Sequence, residues 1–247
     1  MQDRKWLSRT ELLIGLSAVE RLEKAHVLVI GLGGVGSFAA EFIARAGVGE
    51  MTIIDGDEVD ASNINRQLPA LATTIGQSKA LLMEERLKAI NPFIKINCIQ
   101  SFLMPEVIDE LMMTQPFDYV VEAIDSITPK TTVIASAVKH NLRIVSSMGA
   151  GGKVDPTKLL VDDIGNTRIC PFAQYVRKRL AQLGIRSGVK AVYSTEAVIK
   201  ESLMMTDGTR FKKSAYGTIS YLPATFGAAC ASVAIRDLVD DVKGIKN

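Results

Sequence analysis

The 247-residue chain is long enough for one large domain or two small ones, and its 47% apolar and 23% charged residues are typical of soluble globular proteins. The formal net charge of +2 is too small to argue for a nucleic-acid partner, so any polyanion site would depend on local clustering of basic residues. Cys98, Cys170 and Cys230 include no CxxC pair, which excludes a recognisable zinc knuckle or disulfide framework and favours a reducing cytoplasm.

Apolar periodicity predicts alternating helices and strands over the first 150 residues. Helices are expected at residues 9–23, from the glycine turn to about 46, at 77–90, shortly after 105, and at 130–140; strands are expected at 26–30, 50–54, 94–99, 119–123 and 143–147. Strands separated by helices of this length form βαβ units with right-handed crossovers. The predicted fold is therefore α/β, a Rossmann-like, mainly parallel sheet with helices on both faces.

The pattern changes after the glycine-rich stretch at residues 149–152. Residues 153–221 predict shorter strands and one basic helix at 172–183, and a last helix is expected at 226–239. The chain has no internal repeat, low-complexity tract or linker, so we expect a single domain over residues 1–247. Within it, residues 1–150 or so would form the Rossmann-like part, and residues 151–247 would add further strands and helices.

The segment at residues 217–235 is uncharged and about long enough to span a bilayer. It contains two glycines, a central Pro223 and many small or hydroxyl side chains, so its hydrophobicity per residue is weak. A buried strand-turn-helix in the core of an α/β domain is equally apolar. We therefore expect buried core and no membrane insertion. The N-terminus has no apolar stretch of signal-peptide length, which also favours the cytoplasm.

A glycine-rich turn joins the predicted strand at residues 26–30 to a helix. Its glycines, Gly31, Gly33, Gly34 and Gly36, allow a tight turn and close approach of the backbone to phosphate, and the helix N-terminus offers free N–H groups. Asp55 ends the next strand, where a carboxylate can accept hydrogen bonds from ribose hydroxyls. This evidence alone would indicate an NAD-dependent oxidoreductase.

Charged and polar residues beyond the strand ends argue for a different nucleotide. Because ligands of doubly wound sheets bind outside the carboxyl ends of the strands, these groups can converge there. A triphosphate–metal complex needs two cations and an extra carboxylate more obviously than NAD does. The candidates are Asp55, Asp57, Asn63, Arg66, Gln67, Lys79 and Asp125.

In chain order, these motifs resemble the adenylating fold of ubiquitin-activating enzymes and their bacterial relatives in thiamine and molybdopterin synthesis. The resemblance rests on the glycine turn, on Asp55-Gly-Asp57, on residues 62–67 and 76–79, on Ile90-Asn91-Pro92 and on Ala123-Ile-Asp125. It covers nearly the whole chain. It implies ATP with Mg²⁺ as cofactors, adenylation of a carboxylate, release of pyrophosphate and a homodimer. It also implies that residues 1–150 or so bind the ATP, and that residues 151–247 bind the substrate and support the dimer.

The resemblance also implies roles for individual residues. The nucleotide site would be lined by the glycine turn, Asn63 and their neighbours Asp57 and Gln67. Asp55 would hold the ribose. Arg66 and Lys79 would bind the phosphates. Asp125 would hold the Mg²⁺, and Arg9 would reach the triphosphate of the partner protomer.

The second half resembles one branch of this family. Relatives that activate ubiquitin-like or sulfur-carrier proteins commonly have two CxxC pairs, which this chain lacks, so we expect no structural zinc. The segments at residues 149–157, 193–197 and 224–227 are similar to the branch that dehydrates threonylcarbamoyladenosine at position 37 of tRNA. The resemblance implies binding of the anticodon stem-loop, and it leaves open a sulfur-transfer partner.

Two other functions remain as alternatives. One is adenylation of the C-terminus of a sulfur-carrier protein, and the other is a regulatory nucleotide-binding protein without catalysis. The missing zinc cysteines and a basic helix disfavour the first, and the complete set of Asp55, Arg66, Lys79 and Asp125 disfavours the second.

Basic residues in the second half are candidate phosphate contacts for tRNA, although a solvated surface explains them equally well. They are Arg177, Lys178 and Arg179 on the predicted helix and Lys212 and Lys213 further on. Among the cysteines, Cys170 is expected to be the exposed thiol of the second half, with Cys98 and Cys230 in the core. His26 and His140 match no metal or triad pattern and are assigned to structure.

Overall fold

A computed structural model describes residues 4–205 and 214–240. In these ranges one seven-stranded sheet has the order β3-β2-β1-β4-β5-β7-β6, and β8 and β9 pair separately as an antiparallel ribbon. The strands are β1 His26–Ile30, β2 Glu50–Ile54, β3 Lys95–Ile99, β4 Tyr119–Glu122, β5 Ile144–Ser147, β6 Leu159–Asp163, β7 Lys190–Ser194, β8 Leu203–Met205 and β9 Ser214–Tyr216. The helices are α1 Ser8–Ile14, α2 Leu16–Lys24, α3 Gly36–Arg45, α4 Lys79–Ile90, α5 Pro105–Thr114, α6 Ile127–Lys139, α7 Pro171–Gln182 and α8 Tyr221–Val239.

The sheet is parallel except where β6 runs antiparallel to β7. The chain passes from β1 to β2 and β3 on one side and then returns to place β4 on the other side of β1. This reversal opens a crevice beyond the carboxyl ends of β1 and β4, which is the usual ligand site of such sheets. The predicted α/β, Rossmann-like fold is confirmed, and the extra strands β6 and β7 extend the same sheet.

Helices cover both faces of the sheet, because the central strands are buried on both sides and alternate between two cores. One core joins the sheet to α2, α3, α4 and α8, and the other joins it to α5, α6 and α7. Helices α3 and α8 approach closely at Gly227, where an added Cβ would lie 2.5 Å from the backbone oxygen of Val35. The close approach brings the start of α8 beside the glycine turn, with Pro223 against Gly34.

The N-terminal helix predicted at residues 9–23 was wrong as a single element. It is two helices, α1 and α2, separated at Gly15, whose φ of 84° lies in the region that favours glycine. The other predicted elements of the first half start and end within about three residues of the observed ones.

The apolar segment near the C-terminus also differs from the expectation. Residues 217–219 form no strand, and α8 starts at Tyr221, five residues before the predicted helix, with Pro223 in its first turn. By length and composition α8 could cross a bilayer, but 56% of its most apolar window is buried within the protein. Its hydrophobicity is thus largely that of a core helix.

Candidate nucleotide site

The glycine turn at residues 31–36 lies between β1 and α3 and leaves no room for side chains at two positions. A Cβ on Gly31, whose φ is 85°, would lie 3.0 Å from the Ala123 oxygen, and a Cβ on Gly36 would lie 1.7 Å from the Gly31 oxygen. The second contact is impossible without moving backbone. The turn therefore packs directly against the segment that follows β4, and the N-terminus of α3 faces the crevice.

Asp55 holds this turn in place from the end of β2. Its carboxylate accepts hydrogen bonds from the backbone N–H of Leu32 at 2.6 Å and of Asp57 at 2.7 Å. Burial raises the pKa of Asp55, and the nearby Lys79 ammonium and the two N–H donors oppose that rise. The two observed hydrogen bonds leave lone pairs on both oxygens for the ribose hydroxyls that the sequence assigns to this residue.

Lys79 brings a nearly buried cation to the same group of residues. Its side chain is 6% exposed, and Nζ lies 3.2 Å from Oδ2 of Asp57. The Lys79 backbone N–H donates to the Asp57 oxygen at 3.1 Å, and Ser78 caps α4 just before it. The ammonium is thus fixed beside Asp55 and Asp57 rather than free in solvent.

Arg66 and Asp125 add two further charges to the site. The Arg66 guanidinium donates to the Ser62 oxygen at 2.8 Å and to Asn65 Oδ1 at 2.9 Å. Burial lowers the pKa of Arg66, and attraction to Asp125 opposes that change, so the two charges lie within electrostatic range. The Arg66 side chain also packs on Gly34, where an added Cβ would lie 3.5 Å from its Cγ.

Two amide side chains complete the predicted lining. Gln67 lies beside Gly33, and its Oε1 is buried with no hydrogen-bond partner among the described residues. A buried acceptor without a donor is costly unless a ligand or water satisfies it, so this atom suits a bound nucleotide. Asn63 is 8% exposed, and its Oδ1 accepts the N–H of Asp60 at 3.2 Å.

The described residues contain no group of three or more His, Cys, Asp or Glu that could hold a metal by themselves. Mg²⁺ in nucleotide enzymes commonly uses one or two carboxylates together with substrate phosphates and water. One carboxylate at Asp125, beside the cation Arg66, fits that arrangement for Mg²⁺ bound with ATP.

The remaining predicted residues are on α1, on α7 or outside the described ranges. Arg9 is exposed on α1. On α7, Lys178 and Arg179 are exposed, whereas Arg177 is partly buried and donates to Thr167, with 2.6 Å to Oγ1. Arg177 therefore does not share the open surface of its two neighbours. Lys212 and Lys213 lie outside the described residues.

The expectation of an exposed Cys170 was wrong. Cys170 is 2% exposed, because it precedes α7 in the core, and its Sγ lies 3.8 Å from Nζ of the buried Lys153. Cys230 is buried as expected, and burial raises the pKa of its thiol to about 12. Cys98 is only partly buried, and burial again raises its pKa, to about 11. Neither Cys98 nor Cys230 supplies a thiolate at neutral pH.

Sequence reasoning missed Glu122 and Lys130, both fully buried directly beneath the Asp125 loop. The signal for them was a glutamate at the end of the otherwise apolar strand β4, followed eight residues later by a lysine. A charge at a strand end is usually solvated, and the sequence alone does not show that β5 and α7 cover this one.

The fold and the site define a class: Rossmann-like proteins that bind a nucleotide on a glycine turn flanked by two cations and strand-end carboxylates. A sequence profile of the ThiF family matches residues 7–246, and the chain belongs to that family. It is 37% identical over 243 residues to a tRNA threonylcarbamoyladenosine dehydratase of Bacillus subtilis, covering 96% of this chain and 95% of that protein.

Solved structures agree with the sequence relatives. The crystal structure of the Escherichia coli tRNA N6-threonylcarbamoyladenosine dehydratase in complex with ATP superposes with a TM-score of 0.88 at 35% identity, covering 98% of this chain and 97% of that one. The sulfur carrier protein ThiS adenylyltransferase of E. coli is more distant. It is 32% identical over 160 residues, which are 62% of this chain and 63% of that protein.

Proposed function

We propose that the protein is an ATP-dependent tRNA threonylcarbamoyladenosine dehydratase. It would adenylate the carboxylate of the threonylcarbamoyl group on adenosine 37 of tRNA and promote closure to the cyclic form. The observation that carries the proposal is the convergence of Lys79 and Arg66, with Asp55, Asp57 and Asp125, around the glycine turn. Similarity to the dehydratases over nearly the full length of both chains supports this substrate.

The reaction has two steps. An oxygen of the substrate carboxylate attacks the α-phosphorus of ATP, the bond to the bridging oxygen breaks, and pyrophosphate leaves. The carbamoyl group of the same substrate then attacks the activated carbonyl and expels AMP, which keeps one carboxylate oxygen. The substrate loses one water overall. Because the second nucleophile belongs to the substrate, no enzyme thiol is required, in keeping with the burial of Cys170 and Cys230.

Charge neutralisation is the main task of the protein in the first step, because two anions must meet. Lys79 and Arg66 would bind the phosphates and stabilise the charge that develops on them; each such group typically contributes about two to three orders of magnitude in rate. Mg²⁺ bound with ATP supplies further charge neutralisation, and Asp125 would hold it. Asp55 orients the glycine turn and the ribose.

We also propose that the protein is a homodimer, and the surface of α1 supports this. None of the seven residues of this helix is buried. The exposed fractions of Leu12 and Leu13 are 89% and 83%. Trp6 and Leu16 add further exposed apolar area on either side. Exposed apolar patches of this kind commonly mark protein interfaces. Arg9 lies on the same helix, so a partner seated on α1 would receive this guanidinium, in agreement with a role at the partner's triphosphate.

The tRNA would bind through Lys178 and Arg179, with Lys212 and Lys213 as further candidates. Arg179 lies seven residues beyond Phe172, or about 10 Å along the axis of α7. Phe172 packs on Gly149, in the loop that follows β5 at the edge of the nucleotide site. A stem bound along α7 could therefore present its loop to the site. We also propose that the enzyme works in the cytoplasm, and a sulfur-transfer protein remains a candidate partner.

The proposal is tested by mass spectrometry of nucleosides from tRNA that carries threonylcarbamoyladenosine, incubated with protein, ATP and Mg²⁺. We expect loss of one water from this nucleoside and stoichiometric AMP. If the nucleoside is unchanged while ATP and a sulfur-carrier protein yield AMP, the protein-activating alternative replaces the proposal. Thermal stabilisation by NAD but not by ATP would instead restore the oxidoreductase.

A further inference from the structure

A fully buried ion pair lies beneath the proposed metal-binding loop. Glu122, the last residue of β4, and Lys130, the fourth residue of α6, form a short salt bridge, and both side chains are 0% exposed. Removing two charges from water costs several kcal/mol per ion, and a buried pair of this kind often adds little net stability compared with apolar side chains. The pair therefore calls for an explanation other than stability.

The hydrogen bonds of the pair join three segments of the chain. Glu122 accepts the backbone N–H of Ile124 at 2.7 Å and the Ser146 hydroxyl at 2.5 Å. Lys130 donates to the Ser147 oxygen at 2.8 Å and also lies 3.3 Å from the Ser146 hydroxyl. The end of β4, the start of α6 and the end of β5 are thus held at one point.

Asp125 lies between these fixed positions. Ile124 precedes it and is anchored by Glu122, and Lys130 anchors α6, which begins two residues after it. The segment at 122–124 also packs on the glycine turn, because a Gly31 Cβ would lie 3.0 Å from the Ala123 oxygen and 3.3 Å from the Ile124 nitrogen. Next to Lys130, the Phe172 ring of α7 lies 5.7 Å from Nζ and packs on Gly149 in the loop after β5.

We propose that Glu122 and Lys130 are positioning residues that fix the Asp125 loop relative to both the glycine turn and the loop after β5. This inference rests on the proposed function, because Asp125 matters only if it serves the nucleotide reaction. A misplacement of about 1 Å in such a group can lower the rate about a hundredfold. The pair would therefore act on kcat and on the response to Mg²⁺, and leave binding of ATP itself nearly unchanged.

The test compares the double variant Glu122→Gln/Lys130→Met with the wild type. The double variant removes both charges together, so no unpaired buried ion is left to unfold the protein, unlike Lys130→Met alone. Ser146→Ala is a milder second variant, since it removes one hydrogen bond to Glu122 and leaves the ion pair. Arg86→Met is the matched control, because it breaks a partly buried pair with Glu41 between α3 and α4, away from the site.

We expect the double variant to stay folded and to show a kcat for AMP formation lowered about ten- to a hundredfold, with a KM for ATP that rises as Mg²⁺ is made limiting. Ser146→Ala should show a smaller loss of the same kind, and Arg86→Met should lower the melting temperature with normal kcat. Calorimetry adds a readout that needs no tRNA: ATP affinity in EDTA should match the wild type, and the gain in affinity on adding Mg²⁺ should shrink.

The proposal is overturned if a folded double variant keeps wild-type kcat and a wild-type gain in ATP affinity with Mg²⁺. The pair would then serve only stability, as Arg86 and Glu41 do. Failure of the proposed function is a separate result, in which wild-type protein binds ATP but forms no AMP with the tRNA.

Discussion

The carboxylate of Asp55 accepts the backbone N–H of Leu32 at 2.6 Å, so the end of β2 fixes the first residues of the glycine turn. The same carboxylate accepts the N–H of Asp57, whose own carboxylate lies 3.2 Å from Lys79 Nζ. The Asp55 side chain thereby connects the glycine turn to Lys79, the two groups that we propose bind the phosphates of ATP. Removing the Asp55 carboxylate should therefore lower the affinity for the nucleotide more than it lowers the stability of the fold.

Asp55→Asn should weaken ATP binding about ten- to a hundredfold, because a hydrogen bond to a charged group is worth about 1.5–3 kcal/mol. The asparagine keeps the shape of the side chain but loses the charge that faces Lys79. Calorimetric titration with ATP measures the effect. Glu58→Gln, an exposed carboxylate in the same loop, is the control and should bind ATP normally. Equal affinities for the two variants would remove Asp55 from the nucleotide site.

Asp125→Asn should preserve the melting temperature, since the residue follows the end of β4, and should abolish AMP formation that depends on ATP and tRNA. The carboxylate removed is the one that we assign to Mg²⁺. Steady-state assays across a Mg²⁺ titration separate a weakened metal site from a general loss. Near-normal turnover at ordinary Mg²⁺ would exclude Asp125 as a metal ligand.

Arg9 gives a test of the homodimer. If Arg9 serves the partner's site, then Arg9→Ala and Lys79→Ala are each inactive, but a mixed dimer has one intact site. Subunit exchange in an equal mixture should restore about a quarter of wild-type activity, since half of the dimers are mixed and each has one working site of two. A mixture no more active than its components would show that Arg9 does not act across an interface.

Substitutions of Lys178 and Arg179 test the proposed tRNA-binding surface. A substitution of the partly buried Arg177 serves as the comparison. Replacing Lys178 and Arg179 with Ala should weaken tRNA binding and lower its salt slope by about 0.7–0.9 for each phosphate that is no longer neutralised. ATP affinity should stay unchanged. Arg177→Ala should mainly destabilise the protein, because its guanidinium donates to Thr167. Unchanged affinity and salt dependence in the double variant would make this part of α7 a solvated surface.

His26 should make stability depend on pH. It is 6% exposed, and burial lowers its pKa. The charges of Glu50 and Asp118 act in the opposite direction and partly offset this lowering. The unfolded chain therefore binds more protons once the pH falls below about 6.5, so this part of the stability is present above that pH and is lost on acidification. Urea unfolding at about pH 5 and 7.5 measures it, and His26→Gln should flatten the difference. An unaltered difference would assign the acid sensitivity to other groups.

The parts of the site that could be predicted from the sequence are local in the chain. A strand, a glycine turn and a helix follow one another within residues 26–45, and Asp55 directly follows the next strand, so their meeting point follows from parallel-sheet topology. The grouping of Lys79 with Asp57 follows in the same way. Gly15 could not be foreseen as a break, because an isolated glycine is tolerated within many helices.

The features that escaped prediction depend on contacts between distant segments. Cys170 is buried because Lys153 and the start of α7 close over it, and Arg177 is withdrawn from the surface by Thr167. Glu122 and Lys130 looked like ordinary charges, yet β5 and α7 seal them from water. In each case the sequence shows the residue but does not show which distant residues pack against it.

Oxygen-isotope transfer tests the central claim, adenylation of the substrate carboxylate, most directly. The tRNA would carry threonylcarbamoyladenosine labelled with ¹⁸O in its carboxylate, and the products of a single turnover with ATP would be analysed by mass spectrometry. We expect one ¹⁸O in AMP, none in pyrophosphate and a nucleoside that has lost one labelled oxygen. Unlabelled AMP would contradict adenylation of the carboxylate, and so would ADP together with ¹⁸O-labelled inorganic phosphate.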